Sequence, residues 1–336
     1  MVCSLGLLAA GCGDGGPTNR THATSLTAGR LATWQRFVHV RGVVDLTPPL
    51  PGTASIRVAA AGRLETLSGR RLHRFSPDYS APAGLEPYIA PSSGQRVAGA
   101  GCRFPRGALF ALRLTDGHGI TVVDEDGHVR RFAALHGAGL EDGITFDDGG
   151  RFGHRLLATT YAKGRGTTVS AIDCRGRVRV LTRHAPRVEG GIAVAPSSFG
   201  RYAGDLIAPD EVGGNVYAIA PSGHASLIGN SGLAHGQDIG VESEGFVPAR
   251  YADALVSDRG TPHNAHPGDN EILALSRRAL RSAGVAAGDL LVVDEGAAGT
   301  VAITCHSTCR VRHVANGPSR AHIEGHVVFT RPGSLP

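Results

Sequence analysis

One short pattern recurs five times along the chain. An aliphatic residue is followed by Glu, then by one to three small or polar residues, then by a strand-like apolar run. The copies are "GLEPYIA" with Glu86, "GLEDGITF" with Glu141, "RVEGGIAVAP" with Glu189, "GVESEGFV" with Glu242 and "HIEGHVVF" with Glu324. Successive Glu residues lie 55, 48, 53 and 82 positions apart. A period of roughly 40–50 residues is the mark of a repeat architecture, in which one unit cannot bury its apolar face without its neighbours.

The unit reads most clearly over residues 189–228. "GGIAVAP", "DLIAPD", "VYAIAP" and "ASLIG" are four short apolar runs separated by tight Gly, Pro, Ser and Asp connections. Such spacing predicts all-β structure rather than alternating strands and helices. The preceding unit has the same order, with Phe152-Gly153 standing where Phe199-Gly200 stands. Second strands are expected at Ile56–Ala60, Ala108–Leu114, Leu156–Thr160, Leu206–Asp210, Ala254–Asp258 and Leu290–Asp294. Third strands are expected near Leu64, Ile120, Val169, Val216, Ile272 and Val301. Six four-stranded antiparallel units predict a six-bladed β-propeller, because radial repetition protects sheet edges. The run Ile323–Thr330 has no room after it for three more strands. It is expected to join N-terminal strands near 56–75 and close the ring. A first strand is missing near 276–287, where "SRRALRSAGVAAG" fits a short helix as well as a strand. Five blades plus an insertion is therefore the alternative.

The runs "GITFDDGG", "APDEVGGNVYAIAPSG" and "VVDEGAAGTVAI" resemble blade signatures of TolB-like six-bladed propellers, a group that includes NHL-type and gluconolactonase-like proteins. The resemblance spans about residues 55–330 and concerns the fold. For gluconolactonase-like members it implies one central calcium held by a Glu near a strand start, an Asn and an Asp. Here Asp142-Gly143 or Glu-Gly stands where that pattern has Asn-Gly.

The expected domain is 31–336, preceded by a leader and linker over 1–30. Leu8-Ala9-Ala10-Gly11-Cys12 is similar to the lipobox of bacterial lipoproteins, which predicts lipidation of Cys12 and export as a cell-envelope lipoprotein or secreted protein. The apolar lead is short and lacks a basic start, so an ordinary tail is the competing reading. No 18-residue apolar run is present, so membrane association is expected only through the lipid anchor. Cys305 and Cys309 flank "HST" and suggest a local disulfide, with Cys102 and Cys174 left over in an even set. A Cys-x3-Cys zinc half-site lacks a matching second pair. The net charge of +5 comes from dispersed Arg, Lys163 being the only Lys. Without a basic stripe or recognisable module, nucleic acid is not an expected partner. A monomer binding a small molecule or an extracytoplasmic protein is expected.

In a four-stranded antiparallel blade the start of the first strand and the end of the second share one face. Glu86, Glu141, Glu189, Glu242 and Glu324 are therefore expected to ring the channel mouth as candidate metal ligands. Asp210, Glu211, Asp258, Asp294 and Glu295, at second-strand ends, are candidate ligand-binding residues on that face. The long segment "DRGTPHNAHPGDNE" adds His263 and His266, candidates for an acid–base role. Convergent carboxylates are relieved by a hard cation such as calcium, by protonation, or by backbone N–H donors of the next blade. No nucleophile elbow and no phosphate loop is present. Three functions follow: ligand or partner binding on the carboxylate-lined face, a calcium-dependent lactonase- or esterase-type hydrolase (the phosphotriesterase type included), and a non-catalytic scaffold.

Overall fold

The computed structural model describes residues 31–49, 52–82, 85–113, 118–135 and 139–332. The leader, including Cys12, lies outside the described residues. Two short strands come first, β1 (Ala32–Thr33) and β2 (Gln35–His39). Blade one follows as β3 (Val43–Leu46), β4 (Ile56–Ala60), β5 (Arg63–Ser68) and β6 (Arg71–Arg74). Blade two is β7 (Ile89–Pro91), β8 (Leu109–Arg113), β9 (Gly119–Val123) and β10 (Val129–Ala134). Blade three is β11 (Leu140–Phe146), β12 (Leu156–Ala162), β13 (Gly166–Ile172) and β14 (Val178–Ala185). Blade four is β15 (Ala193–Val194), β16 (Leu206–Asp210), β17 (Asn215–Ile219) and β18 (Ala225–Asn230). Each is an antiparallel meander in chain order.

The last two blades exchange strands. Next along the chain come β19 (Val241–Phe246), β20 (Asp253–Asp258), β21 (Glu271–Ser276), α1 (Arg277–Ser282), β22 (Leu290–Asp294), β23 (Thr300–Cys305), β24 (Cys309–Asn316) and β25 (Ile323–Phe329). β19 does not pair with the strand that follows it. It pairs with β22, and blade five runs β19-β22-β23-β24 with β1 added in parallel outside. Blade six runs β25-β20-β21-β2.

The ring thus has six blades, not five plus an insertion, and strands from both ends of the sequence meet in blade six. The expected partners of Ile323–Thr330 are corrected, however. Residues 56–74 already belong to blade one, so β25 pairs with β20 instead, and the N-terminal strand of its blade is β2, which pairs with β21 at the other edge. The 82-residue spacing is explained too. The inner strand of blade six is β25 itself, and α1 occupies the stretch where another first strand was expected. Ser276 caps α1, its hydroxyl accepting from the Ala279 amide at 3.2 Å.

Short β-branched and aliphatic strands suit this fold because both faces of a blade are covered by neighbours. Six apolar clusters result, one between each adjacent pair of blades. Trp34, the chain's only Trp, sits between β1 and β2 and is 2% exposed in the cluster of blades five and six. Its indole N–H donates to Thr300 Oγ1 at 2.8 Å, which satisfies the one polar group it buries. Among the described residues no helix is long and apolar enough to cross a membrane.

Two disulfides are present. Cys305–Cys309 closes the β23–β24 turn, as its spacing suggested. Cys102–Cys174 joins the loop before β8 to the β13–β14 turn, with 6.0 Å between Cα atoms and 72 residues between partners. Cross-linking so long a loop restricts the unfolded chain. Replacing both Cys102 and Cys174 by Ser is expected to lower stability by about 2–4 kcal/mol. A thermal melt insensitive to the double substitution would contradict this.

Candidate functional site: an acidic channel mouth

Side chains alternate along a strand, and this decides which carboxylates reach the axis. At the second-strand ends the sequence carries three adjacent pairs: Asp210-Glu211, Asp258-Arg259 and Asp294-Glu295. In each pair the Asp turns back to hold the backbone. Asp210 accepts from the Gly213 amide at 3.1 Å, and Asp294 from the Gly299 amide at 2.7 Å. Asp258 accepts from the amides of His322 at 2.9 Å and Asp269 at 3.2 Å. The second member of each pair points to the mouth. Blade six places Arg there, where blades four and five place Glu.

The mouth is a cavity of about 400 Å³. It gathers Glu86, Glu189, Glu242 and Glu324 from the inner-strand motifs, Glu211 and Glu295 from the second strands, and Asp238. His322, Arg259 and the segment Thr261–Asn264 complete its wall. Arg259 pairs with both Glu86 and Glu324, the latter at 2.9 Å. His322 Nε2 lies 2.7 Å from Glu295 and 3.3 Å from Glu324. The Tyr88 hydroxyl contacts Glu242 and lies 2.9 Å from Glu324. At the rim, Arg187 reaches Glu189 at 2.5 Å and Glu211 at 2.7 Å. The Asp238 amide donates to Glu211 at 2.5 Å.

Seven carboxyl groups therefore meet three cations, Arg187, Arg259 and His322, a net of −4 if all ionise. The surplus appears as protons held near neutral pH. Burial, reinforced by the Glu324 charge, raises Glu86 to about 7. Burial raises Glu295 to about 7, and burial with the Glu189 charge raises Glu211 to about 8. Glu242 is pushed well up by burial and then by Glu324. Glu324 alone goes down: burial opposes its charge, but the His322 hydrogen bond and Arg259 outweigh that. His322 rises to about 10 although burial works against its charge, because Glu295 and Glu324 hold its proton.

The mouth does not continue as an open bore. Gly190, Gly191, Gly245 and Gly325 let inner strands touch across the axis. A side chain at Gly190 would run into the Glu242 carbonyl, and one at Gly191 into the Gly325 carbonyl. This is why small residues follow the motif Glu. One layer deeper, His326 of blade six spans to blade three. Its Nε2 lies 3.0 Å from the Ile144 carbonyl and its Nδ1 2.9 Å from Asp45 of blade one. Both ring nitrogens face acceptors, and the Asp45 charge raises the His326 pKa against burial.

Four of the five motif Glu residues thus share one cavity. Glu141 opens β11, and its side chain lies outside the described residues. Of the second-strand candidates, Glu211 and Glu295 line the cavity, while Asp210, Asp258 and Asp294 serve turns. His263 lines it and is exposed, whereas His266 Nδ1 bonds the Ser319 carbonyl at 2.9 Å and lies off its wall. Arg187, His322, Tyr88 and Asp238 were not singled out in the sequence. For His322 a signal existed: it precedes Glu324 by two positions and so shares its face. Three overlapping triads could hold a cation, with ligand atoms within 4.8 Å of one another: Glu295–His322–Glu324, Glu86–Glu242–Glu324 and Glu211–Asp238–Glu295.

No protein-family model matches the chain, and no curated protein does. Solved structures do. A streptogramin B lyase is similar over 90% of this chain and 93% of its own, at 12% identity and TM-score 0.51. Regucalcin from Agrobacterium tumefaciens, a calcium-binding protein, is similar over 90% and 84%, at 10% identity and TM-score 0.51. A protein of the same organism provisionally assigned as TolB is similar over 84% and 89%, at 12% identity and TM-score 0.47. The fold is a six-bladed β-propeller. What the blade signatures led one to expect of the fold, a six-bladed propeller, is what the structure has.

Proposed function

We propose that the chain is an extracytoplasmic ligand-binding propeller whose working site is the acidic mouth, and that the mouth takes a hard divalent cation, alone or with the small ligand it bridges. The observation that carries this is Glu295. It is 4% exposed, it lines the cavity, and its Oε2 has no hydrogen-bond partner. On the Glu86–Glu242–Glu324 side Arg259 already pairs with Glu86 and Glu324, and the Tyr88 hydroxyl donates to Glu242 and Glu324. On the Glu211–Asp238–Glu295 side Arg187 pairs with Glu211 and His322 with Glu295, Glu295 Oε2 stays unpartnered, and oxygen donors there suit calcium or magnesium. Regucalcin is an instance of a calcium-binding protein with this fold. Two disulfides support a setting outside the reducing cytoplasm. Export through a leader and lipidation of Cys12 belong to the same reading.

A calcium titration by calorimetry tests it. Binding is expected to strengthen from pH 6 to pH 8.5 and to release protons, since Glu86, Glu295 and Glu211 titrate near 7 to 8. The linked stability has a definite sign. These carboxyl pKa values lie above their unfolded values, so their contribution to metal-free stability is fully present at acid pH and is lost as pH rises through 7–8. Calcium restores it at the alkaline end. Absence of heat with calcium, magnesium and manganese at pH 8.5, or a Glu295→Gln variant binding equally well, would sink the proposal. The hydrolase reading is favoured by one observation, the exposed His263 at the same cavity. Lactone hydrolysis lost both with chelator and in His263→Ala would support it.

A further inference from the structure

The channel has a second end, closed off from the acidic mouth by the glycine layer and the His326 rung. There the inner strands finish, and a cavity of about 930 Å³ opens among them. Its chemistry is the reverse of the mouth's. The body is apolar, with Leu46, Ile89, Ile144, Ile192, Phe246 and Val328 in the wall. Its rim carries three arginines, Arg151, Arg250 and Arg331, and one carboxylate, Asp148. Asp148 accepts from the Gln95 amide at 2.6 Å, and Arg151 faces Asp205 at 3.4 Å. The excess charge at this end is positive.

One polar group in the wall stands apart. Glu244 lies two positions after Glu242 on β19, fully buried. The Ala193 amide lies near it, yet neither carboxylate oxygen makes a hydrogen bond of ordinary geometry. A buried carboxyl left unpaired is destabilising, and the apolar surroundings offer it nothing. A ligand bearing a polar group next to an apolar body would complete it.

We infer that this second cavity binds an amphipathic organic anion, with its apolar body against Ile144, Ile192, Phe246 and Val328, its anionic group at Arg250, and a polar group at Glu244. The volume falls within the range of small-molecule pockets. The assignment is independent of the acidic mouth and of what binds there.

The probe is 1-anilinonaphthalene-8-sulfonate, which combines an aromatic body, a secondary amine and a sulfonate, titrated into the full folded chain at neutral pH. One saturable, blue-shifted fluorescence site is expected. Arg250→Glu, at an exposed position, weakens it tenfold or more. Ala193→Phe, which fills the cavity from a half-buried lining position, abolishes it. Leu227→Ser, at an exposed position on the outer strand β18, leaves it unchanged. Glu244→Leu weakens it about tenfold while the protein melts no earlier than the parent, a combination that a purely structural carboxyl would not give. Circular-dichroism melts establish that each variant is folded. The inference is overturned if the parent shows no saturable site, or if folded Arg250→Glu and Ala193→Phe variants bind the dye as the parent does. It is overturned equally if Leu227→Ser removes binding.

Discussion

An Arg259→Met variant is expected to be about 3–5 kcal/mol less stable than the parent, because removing one partner of a buried ion pair strands the other. Two carboxylates are stranded here. Glu324 is 2% exposed and loses one of the two groups that keep it ionised, and Glu86 loses the cation it pairs with. His322 cannot compensate fully, since it already serves Glu295. The loss corresponds to a fall in melting temperature on the order of 10 °C. It should shrink toward pH 5, where Glu86 takes up a proton, and it should shrink again in Arg259→Met/Glu324→Gln. The comparison is a double-mutant cycle followed by thermal melts at pH 5 and pH 8. A single variant within 1 kcal/mol of the parent at pH 8 would mean that solvent, not Arg259, neutralises the mouth.

Gly190→Ala is the second large effect. Gly190 has φ +84°, a conformation that L side chains rarely adopt, and its amide donates to the Asp142 carbonyl at 2.9 Å. A methyl group there would drive into the Glu242 backbone and side chain. The backbone strain costs about 1–2 kcal/mol, and the collision has no flexible side-chain tip to relieve it. A total loss of at least about 3 kcal/mol is expected, comparable with severe overpacking. Because the collision falls on Glu242, the acidic mouth should be distorted as well, so cation binding weakens together with stability. Gly52→Ala makes a useful control: its φ is also positive, +84°, but nothing lies within 4 Å of the added methyl. If Gly190→Ala melted no lower than Gly52→Ala, close packing across the axis would not be what selects glycine after the motif Glu.

Much of this was legible in the primary structure, for local reasons. Strand runs bounded by Gly, Pro and Asp fix second strands such as Ile56–Ala60 and Leu206–Asp210 to the residue. Blade number followed from counting them. The exchange between blades five and six was not legible. β20 and β22 have the same apolar character, and local pattern cannot say which of them β19 chooses. The mouth was half legible for the same reason. The motif located its Glu residues, but adjacent Asp and Glu at a strand end look equivalent until alternation is applied to each. Asp258-Arg259 then shows what the repeat conceals: the position that differs between blades carries the compensating charge. Arg187 is brought to Glu211 from 24 positions away, and no spacing rule finds such a partner.

The strand exchange sets a schedule for assembly. Blade six is built from residues 35–39, 253–276 and 323–329, and β1 lies beside β24. While the chain emerges from the ribosome, blades one to four can form in order from contiguous sequence. Blade six has no inner strand until residue 329 is available, and blade five keeps an uncovered outer edge until residues 32–33 dock on β24. Contacts separated by nearly three hundred residues are slow to form because their loop entropy is lost first. The protein therefore stays an open arc for most of its synthesis and becomes a ring in one late step.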